Sequence, residues 1–374
     1  MIKTYHFSAP GRTELGGNHT DHQNGCILAA SVNLEVTAEV TLNHSNTVRI
    51  FSDNYDPFDL ELDDLSCREE EKGTSISLVR GVLQAFQALG VPLQGFDANI
   101  RSNVPVGSGL SSSAAFEVLL GTICNTLFGE NRLSPTQIAQ IGQQVENTYF
   151  GKPCGLMDQL TCATGGIVFI DFQDPAVPQV KQVAFDLAAS GYALCILDTG
   201  SDHADLTEEY AAITRELRTL CAYFGAETLR QVPQAQFLAA LPDLKNKLPH
   251  RAILRAMHIY DENTRVKQQV AALSSGDLPE FFRLVQASGD SSWMYLQNIY
   301  PAGAIQRQPM ALALALCKSL LAGQGACRVH GGGFAGTIQA YVPRKQLDAF
   351  RRGFEAVFGE NSCRVLTIHD RNII

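Results

Sequence analysis

The chain has 374 residues, 45% hydrophobic and 18% charged, which suits a globular protein with two cored domains. A net charge of −9 argues against nucleic acid or an anionic membrane as the main partner, while leaving room for a local anion cradle. Ten scattered cysteines with no C-x-x-C spacing read as free thiols of a reducing cytoplasm, not as disulfides or a zinc site.

Met1 to His6 carries no apolar core of a signal peptide, and no run of 18 apolar residues follows anywhere. Residues 9–25 are rich in glycine and polar side chains and read as a loop, with Arg12, His19 and Asp21 set between glycines to grip a small polar molecule. Alternation from Ile27 to Val40 predicts one or two strands, and Val48 to Phe51 a short one. Leu78, Val79, Val82, Leu83, Phe86 and Leu89 fall at helical spacing, closed by Gly90. Phe96, Ala98 and Ile100 alternate with polar residues as a half-buried strand.

A stretch of special composition follows, Gly107-Ser108-Gly109-Leu110-Ser111-Ser112-Ser113, and then a nearly all-apolar helix through Phe128. Strand, Gly/Ser loop and helix start form a ready anion site: the glycines admit close approach, and the helix start offers unpaired N–H groups. Phosphate is the obvious anion. The loop lacks the Lys of a Walker motif and the third Gly of the dinucleotide fingerprint, so it is a phosphate loop of another type. Ser134-Pro135-Thr136-Gln137 predicts a capped helix start. Glu146 sits at the edge of that helix's apolar stripe and reads as a solvated side chain. Asp158 is either a first-turn acid favourable to its helix or a partly buried carboxylate kept for chemistry. Residues 166–172 read as a strand, and 174–182 as a crossing between domains 1–180 and 181–374. Tyr192 to Thr199 then reads as a buried strand, several helices fill 210–323, and a strand-turn-strand-helix-strand pattern closes the chain as a layered α+β domain.

Three segments in order, Gly11 to Asp21, Gly107 to Ser113 and Gly331 to Gly336, resemble the GHMP superfamily of small-molecule kinases, and within it the galactokinase family. Gln144-Val145-Glu146 and Pro153-Cys154-Gly155-Leu156-Met157-Asp158-Gln159 match the same family. The resemblance implies a two-domain α+β GHMP kinase fold. Its N-terminal domain would be like ribosomal protein S5 domain 2, and its C-terminal domain ferredoxin-like. ATP would lie on Gly107, Ser108, Gly109, Leu110, Ser111, Ser112 and Ser113. Ser113 and Glu146 would hold Mg²⁺, which reverses the first reading of Glu146. Asp158 and Arg12 would be catalytic; Asn18, His19, Asp21 and a stacking Tyr210 would bind the sugar. A cytoplasmic monomer acting on a small-molecule sugar is expected.

The family carries Glu where Asn18 stands, at a position implied to contact the sugar's C6 hydroxyl. Asn would not repel a C6 carboxylate, as in galacturonic acid, and His22-Gln23 in place of Tyr-Asn points the same way. Asp202 stands where the family has Arg, before the His matched by His203, and points against a uronate. Galactose is the first expectation and galacturonate or another hexose the alternative. A non-catalytic sugar and ATP sensor ranks below both. A nicotinamide-linked dehydrogenase rests only on Gly107-x-Gly109.

Overall fold

The structure, a computed structural model, describes residues 3–53, 55–105, 107–201 and 206–369. Its first half is built on one long antiparallel pair. β1 (Thr4–Gly16) runs against β2 (Cys26–Leu42), from Thr4 opposite Thr41 to Gly16 opposite Leu28. β3 (Thr47–Ser52), β4 (Tyr55–Glu61), helix α1 (Ser75–Ala88) and β5 (Phe96–Ser102) follow. Then come α2 (Ser112–Leu127), α3 (Pro135–Val145), α4 (Met157–Thr164), β6 (Ile167–Asp171) and β7 (Gln179–Gln182). β2 has three partners: β1 along its length, β5 opposite residues 36–42, and β6 opposite residues 26–30. The sheet runs β4-β3-β5-β2-β6-β7 with β1 also on β2, and only β3 and β5 lie parallel.

The second half contains β8 (Tyr192–Asp198), α5 (Thr207–Tyr223), α6 (Gln234–Lys247), α7 (His250–Ser275) and α8 (Leu278–Ser291). It ends with α9 (Pro309–Leu321), β9 (Ala326–Val329), β10 (Thr337–Pro343), α10 (Leu347–Phe358) and β11 (Cys363–Leu366). Its sheet is antiparallel throughout, in the order β11-β8-β10-β9. Two sheets thus sit in separate domains, each with its own apolar core, and a third cluster joins α5, α6 and α7. Among the described residues no helix is long and apolar enough to cross a membrane.

Three expectations need correction. Residues 9–16 are not loop but the second half of β1, and every one of them is buried. Helices α2, α4, α7 and α8 all pack against this strand, so the polar alternation that marks a half-exposed strand is absent. Pro10 is tolerated because the register shifts between Pro10 and Arg12. Residues 179–182 are β7, an edge strand on β6 that straddles the expected division at 180/181, not a crossing. Glu146, first read as solvated, is buried.

Candidate active site

Asp158 enters the first turn of α4, after the break at residues 151–155. Arg12 on β1 grips it with two parallel bonds, Nε to Oδ1 at 2.7 Å and Nη2 to Oδ2 at 2.6 Å. A bidentate guanidinium of this kind fixes the orientation of the carboxylate as well as its charge. Burial alone would raise the Asp158 pKa, but Arg12 and the Ser111 hydroxyl outweigh it and hold the acid below its usual range. The side chain is still 31% exposed, so its face is open to a ligand.

The Gly/Ser loop is tied to the same strand. The Arg12 amide donates to the Leu110 carbonyl at 3.0 Å, and the Arg12 guanidinium donates to the Gly109 carbonyl. Leu110 is buried and anchors the loop. Gly107 and Gly109 take positive φ, and a Cβ on Gly109 would lie 3.0 Å from His330 Nδ1. Ser111 adopts the left-handed conformation at φ 56 without capping α2. Its hydroxyl donates to Asp158 Oδ2 instead. Two residues on, Ser113 Oγ donates to Glu146 Oε1 at 3.1 Å. The start of α2 therefore holds one carboxylate through each serine, and both acids converge on it.

Glu146 opens a π-helical turn (Glu146–Phe150) at the end of α3, and it faces inward in helical register with the buried Ala139 and Gly142. Its Oε2 accepts from Gln159 Nε2 at 2.8 Å, and Lys152 Nζ lies 3.4 Å from Oε1. Gln159 also donates to Glu117 on α2 at 3.0 Å. Burial, with repulsion from Glu146, pushes the Glu117 carboxyl well above its ordinary range.

Beside this cluster lies a cavity of about 270 Å³ whose wall includes Arg12, Glu14, His19, Asp21, Asp158 and Tyr210. His19 Nε2 sits 2.9 Å from the Gly332 carbonyl and so carries the ring proton; burial and then His22 lower its pKa to about 4. Asp21 packs against Gly155, where a Cβ would come within 2.5 Å of its carboxylate. Tyr210 donates to the Gly333 carbonyl at 2.7 Å and meets Phe334 edge-on. Asn18 borders the cavity but is fully buried, with its amide used within the protein. Nδ2 donates to the Gly331 carbonyl (2.7 Å) and Glu14 (3.4 Å), while Oδ1 accepts from Asn298 (2.9 Å) and Ser292 (3.3 Å). Asp202 and His203 lie outside the described residues.

Two residues of the site went unread in the sequence. Glu14 is one. His330 is the other, and it links both domains to the Gly/Ser loop. Gln339 Nε2 donates to Thr13 Oγ1 (2.8 Å), which lies 2.9 Å from His330 Nε2. His330 Nδ1 lies 2.9 Å from Thr337 Oγ1, which donates to the Ser108 carbonyl at 3.1 Å. A hydroxyl has one proton. Thr337 gives its proton to Ser108, so His330 Nδ1 donates to Thr337 and Nε2 accepts from Thr13. Burial, reinforced by Arg12 and Arg328, lowers the His330 pKa to about 3, consistent with this neutral tautomer. The only sequence signal was a His just before the last glycine cluster.

Residues 77–166 match the GHMP kinases N terminal domain, and residues 3–42 match the galactokinase galactose-binding signature. The sequence is 33% identical to a galactokinase of Streptomyces coelicolor over 357 residues, covering 94% of this chain and 88% of that one. It is 31% identical to a galactokinase of Actinobacillus pleuropneumoniae, covering 92% and 86%. The fold superposes on Lactococcus lactis galactokinase complexed with galactose with a TM-score of 0.84 at 24% identity, over 100% of this chain and 95% of that one. It also matches Methanococcus jannaschii mevalonate kinase, with a TM-score of 0.66 at 15% identity over 99% of each chain. With a hydroxyl-lined loop, a guanidinium-held carboxylate and relatives matched over nearly their whole length, the chain belongs to the galactokinase family of the GHMP kinases.

Proposed function

We propose that this chain transfers the γ-phosphoryl group of ATP to the anomeric hydroxyl of D-galactose, giving ADP and galactose 1-phosphate. The observation that carries the reading is the convergence of Ser111–Asp158–Arg12 and Ser113–Glu146 on the start of α2, beside a polar cavity. Phosphoryl transfer needs alignment and charge neutralisation more than covalent help. The triphosphate lies on residues 107–113, against the N–H groups at the start of α2. The sugar sits in the cavity, held by His19 and Asp21 and covered by Tyr210. Asp158 faces the attacking hydroxyl and fixes its direction. Its lowered pKa makes it a weak base toward a free alcohol, so it receives the proton late, as the oxygen bonds to phosphorus and becomes acidic. Arg12 keeps Asp158 ionised and adds positive charge beside the loop.

Ser113 Oγ and Glu146 Oε1 are oxygen donors of the kind Mg²⁺ takes. No group of three or more His, Cys, Asp or Glu fit to hold a metal occurs among the described residues. Ser113 and Glu146 would hold Mg²⁺ together with nucleotide phosphates, since Mg²⁺ is usually bound by one or two protein oxygens plus substrate phosphates. When bound it offsets charge on the β- and γ-phosphates. Both walls of the cavity come from one chain, so the site is complete without a partner subunit.

The test is ADP release from ATP and Mg²⁺ with galactose, galacturonate, N-acetylgalactosamine, arabinose and glucose. Galactose is expected to give the highest kcat/KM. ADP release with none of them would overturn the reading.

A further inference from the structure

Glu14 lies on β1, between Arg12 and the bulge at Gly16, and borders the sugar cavity although it is buried. Both of its protein donors use the same oxygen: Arg328 Nη2 and Asn18 Nδ2 bond Oε1. Oε2 meets no donor among the described residues and is not sealed from solvent. Burial raises the Glu14 pKa, and the Arg328 guanidinium on Oε1 opposes that rise. A carboxylate oxygen with free lone pairs, at the wall of a polar cavity, is an acceptor waiting for a hydroxyl. Asn18, four residues on in the same signature, cannot play this part, since its four hydrogen-bonding positions are filled.

The charge around the cavity points the same way. Glu14, Asp21 and Asp158 are carboxylates on its wall. Of the cations, Arg12 is bound by both arms to Asp158, Lys152 is drawn to Glu146, and His19 is neutral near pH 7. Arg328 is fully buried behind Glu14. A neutral polyol gains hydrogen bonds here, whereas an acidic sugar meets three carboxylates, and the arginines beside two of them are already engaged by Asp158 and Glu14.

We propose that Glu14 is a specificity-determining residue of this site: its free carboxylate oxygen accepts from a sugar hydroxyl, and its charge rejects uronic acids. The inference rests on the kinase reading and extends it to the substrate class. It places the acid that discriminates at residue 14 rather than at residue 18.

The test compares galactose and galacturonate with the intact chain, by ADP release and by calorimetric binding without ATP. Wild type is expected to bind and turn over galactose and to reject galacturonate. Glu14→Gln is expected to raise the KM for galactose, leave the KM for ATP unchanged, and narrow the preference over galacturonate about tenfold or more. Glu14→Asp, which keeps the charge but withdraws it, is expected to weaken galactose while still rejecting galacturonate. A purely structural ion pair would instead lower both sugars equally in both variants, and that result would overturn the inference. So would wild-type turnover of galacturonate at the galactose rate, which needs no variant to fold. Absence of ADP release with every sugar tried would sink the kinase reading beneath it, and is distinguishable from either.

Discussion

Asp158 owes its charge and aim to Arg12. Asp158→Asn keeps the shape and one acceptor oxygen but removes the charge and the proton-accepting oxygen. Turnover is expected to fall by about 10²–10⁴-fold. ATP binding, followed by calorimetry, should hold or tighten, because Arg12 is then left uncompensated beside the loop. Weakened ATP binding would mean that Asp158 shapes the loop rather than serving the sugar. Glu146→Ala removes one of two donors for the cation, and the Mg²⁺ titration of ADP release should shift upward by roughly tenfold or more. An unmoved titration would refute the metal role. His19 gives a pH signature in stability. Its folded pKa of about 4 lies below the unfolded 6.5, so the folded state binds fewer protons between those values. Stability is therefore full above about pH 6.5 and is lost as pH falls toward 4. Thermal melts across that window should show the slope, and His19→Asn should reduce it, leaving the share of His330, whose pKa is lowered to about 3.

The elements differ in how much of them the sequence shows. The Ser134 helix start was legible because its signal is local: the observed cap has Ser134 accepting from Gln137 N while the Gln137 side chain accepts from Ser134 N. β5, the Gly/Ser loop and α2 were legible for the same reason. The second half of β1 was not, because its exposure is set by helices far away in the chain. Glu146 was misread because the buried side of α3 includes the small residues Ala139 and Gly142, in helical register with Glu146, which a stripe of large apolar side chains does not mark. The chain through His330 was invisible for a plainer reason: Thr13 and His330 are 317 residues apart. That chain connects β1, β10 and the Gly/Ser loop, so its effect is felt by the loop as a unit. Thr337→Val would leave both the Ser108 carbonyl and His330 Nδ1–H unpaired, at a cost of about 1–3 kcal/mol for each buried group. The KM for ATP is expected to rise with little change in the KM for galactose, and Thr337→Ser should restore it. Equal effects on both substrates would argue for general loosening.

At the scale of the whole molecule, the cavity exists only while the two domains hold their relative position. Arg12, His19 and Asp21 come from the first half and Tyr210, Gly331 and Gly332 from the second. Part of the seam is a clip formed by residues 367–369 on β2. Asn33 N donates to the Thr367 carbonyl (3.0 Å), and Thr367 N donates to Asn33 Oδ1 (2.9 Å). His369 N donates to the Ser31 carbonyl, the Ser31 hydroxyl and Gly166 N reach the His369 carbonyl, and Val32 bridges Ile368. These bonds sit at the middle of β2, where its pairing passes from β6 to β5 and its backbone would otherwise lack partners. Ending the chain after Leu366 removes them without touching the cavity wall. The expected result is a lower melting temperature, faster amide exchange at Asn33 and Gly166, whose N–H groups donate to Thr367 and His369, and a rise in KM for ATP and galactose together. The joint rise follows because a loosened seam misaligns both ligands, whereas a change at either subsite moves only one. A truncated chain that melts normally and keeps both KM values would place the seam's strength in α7 and α8, which also pack across it onto β1.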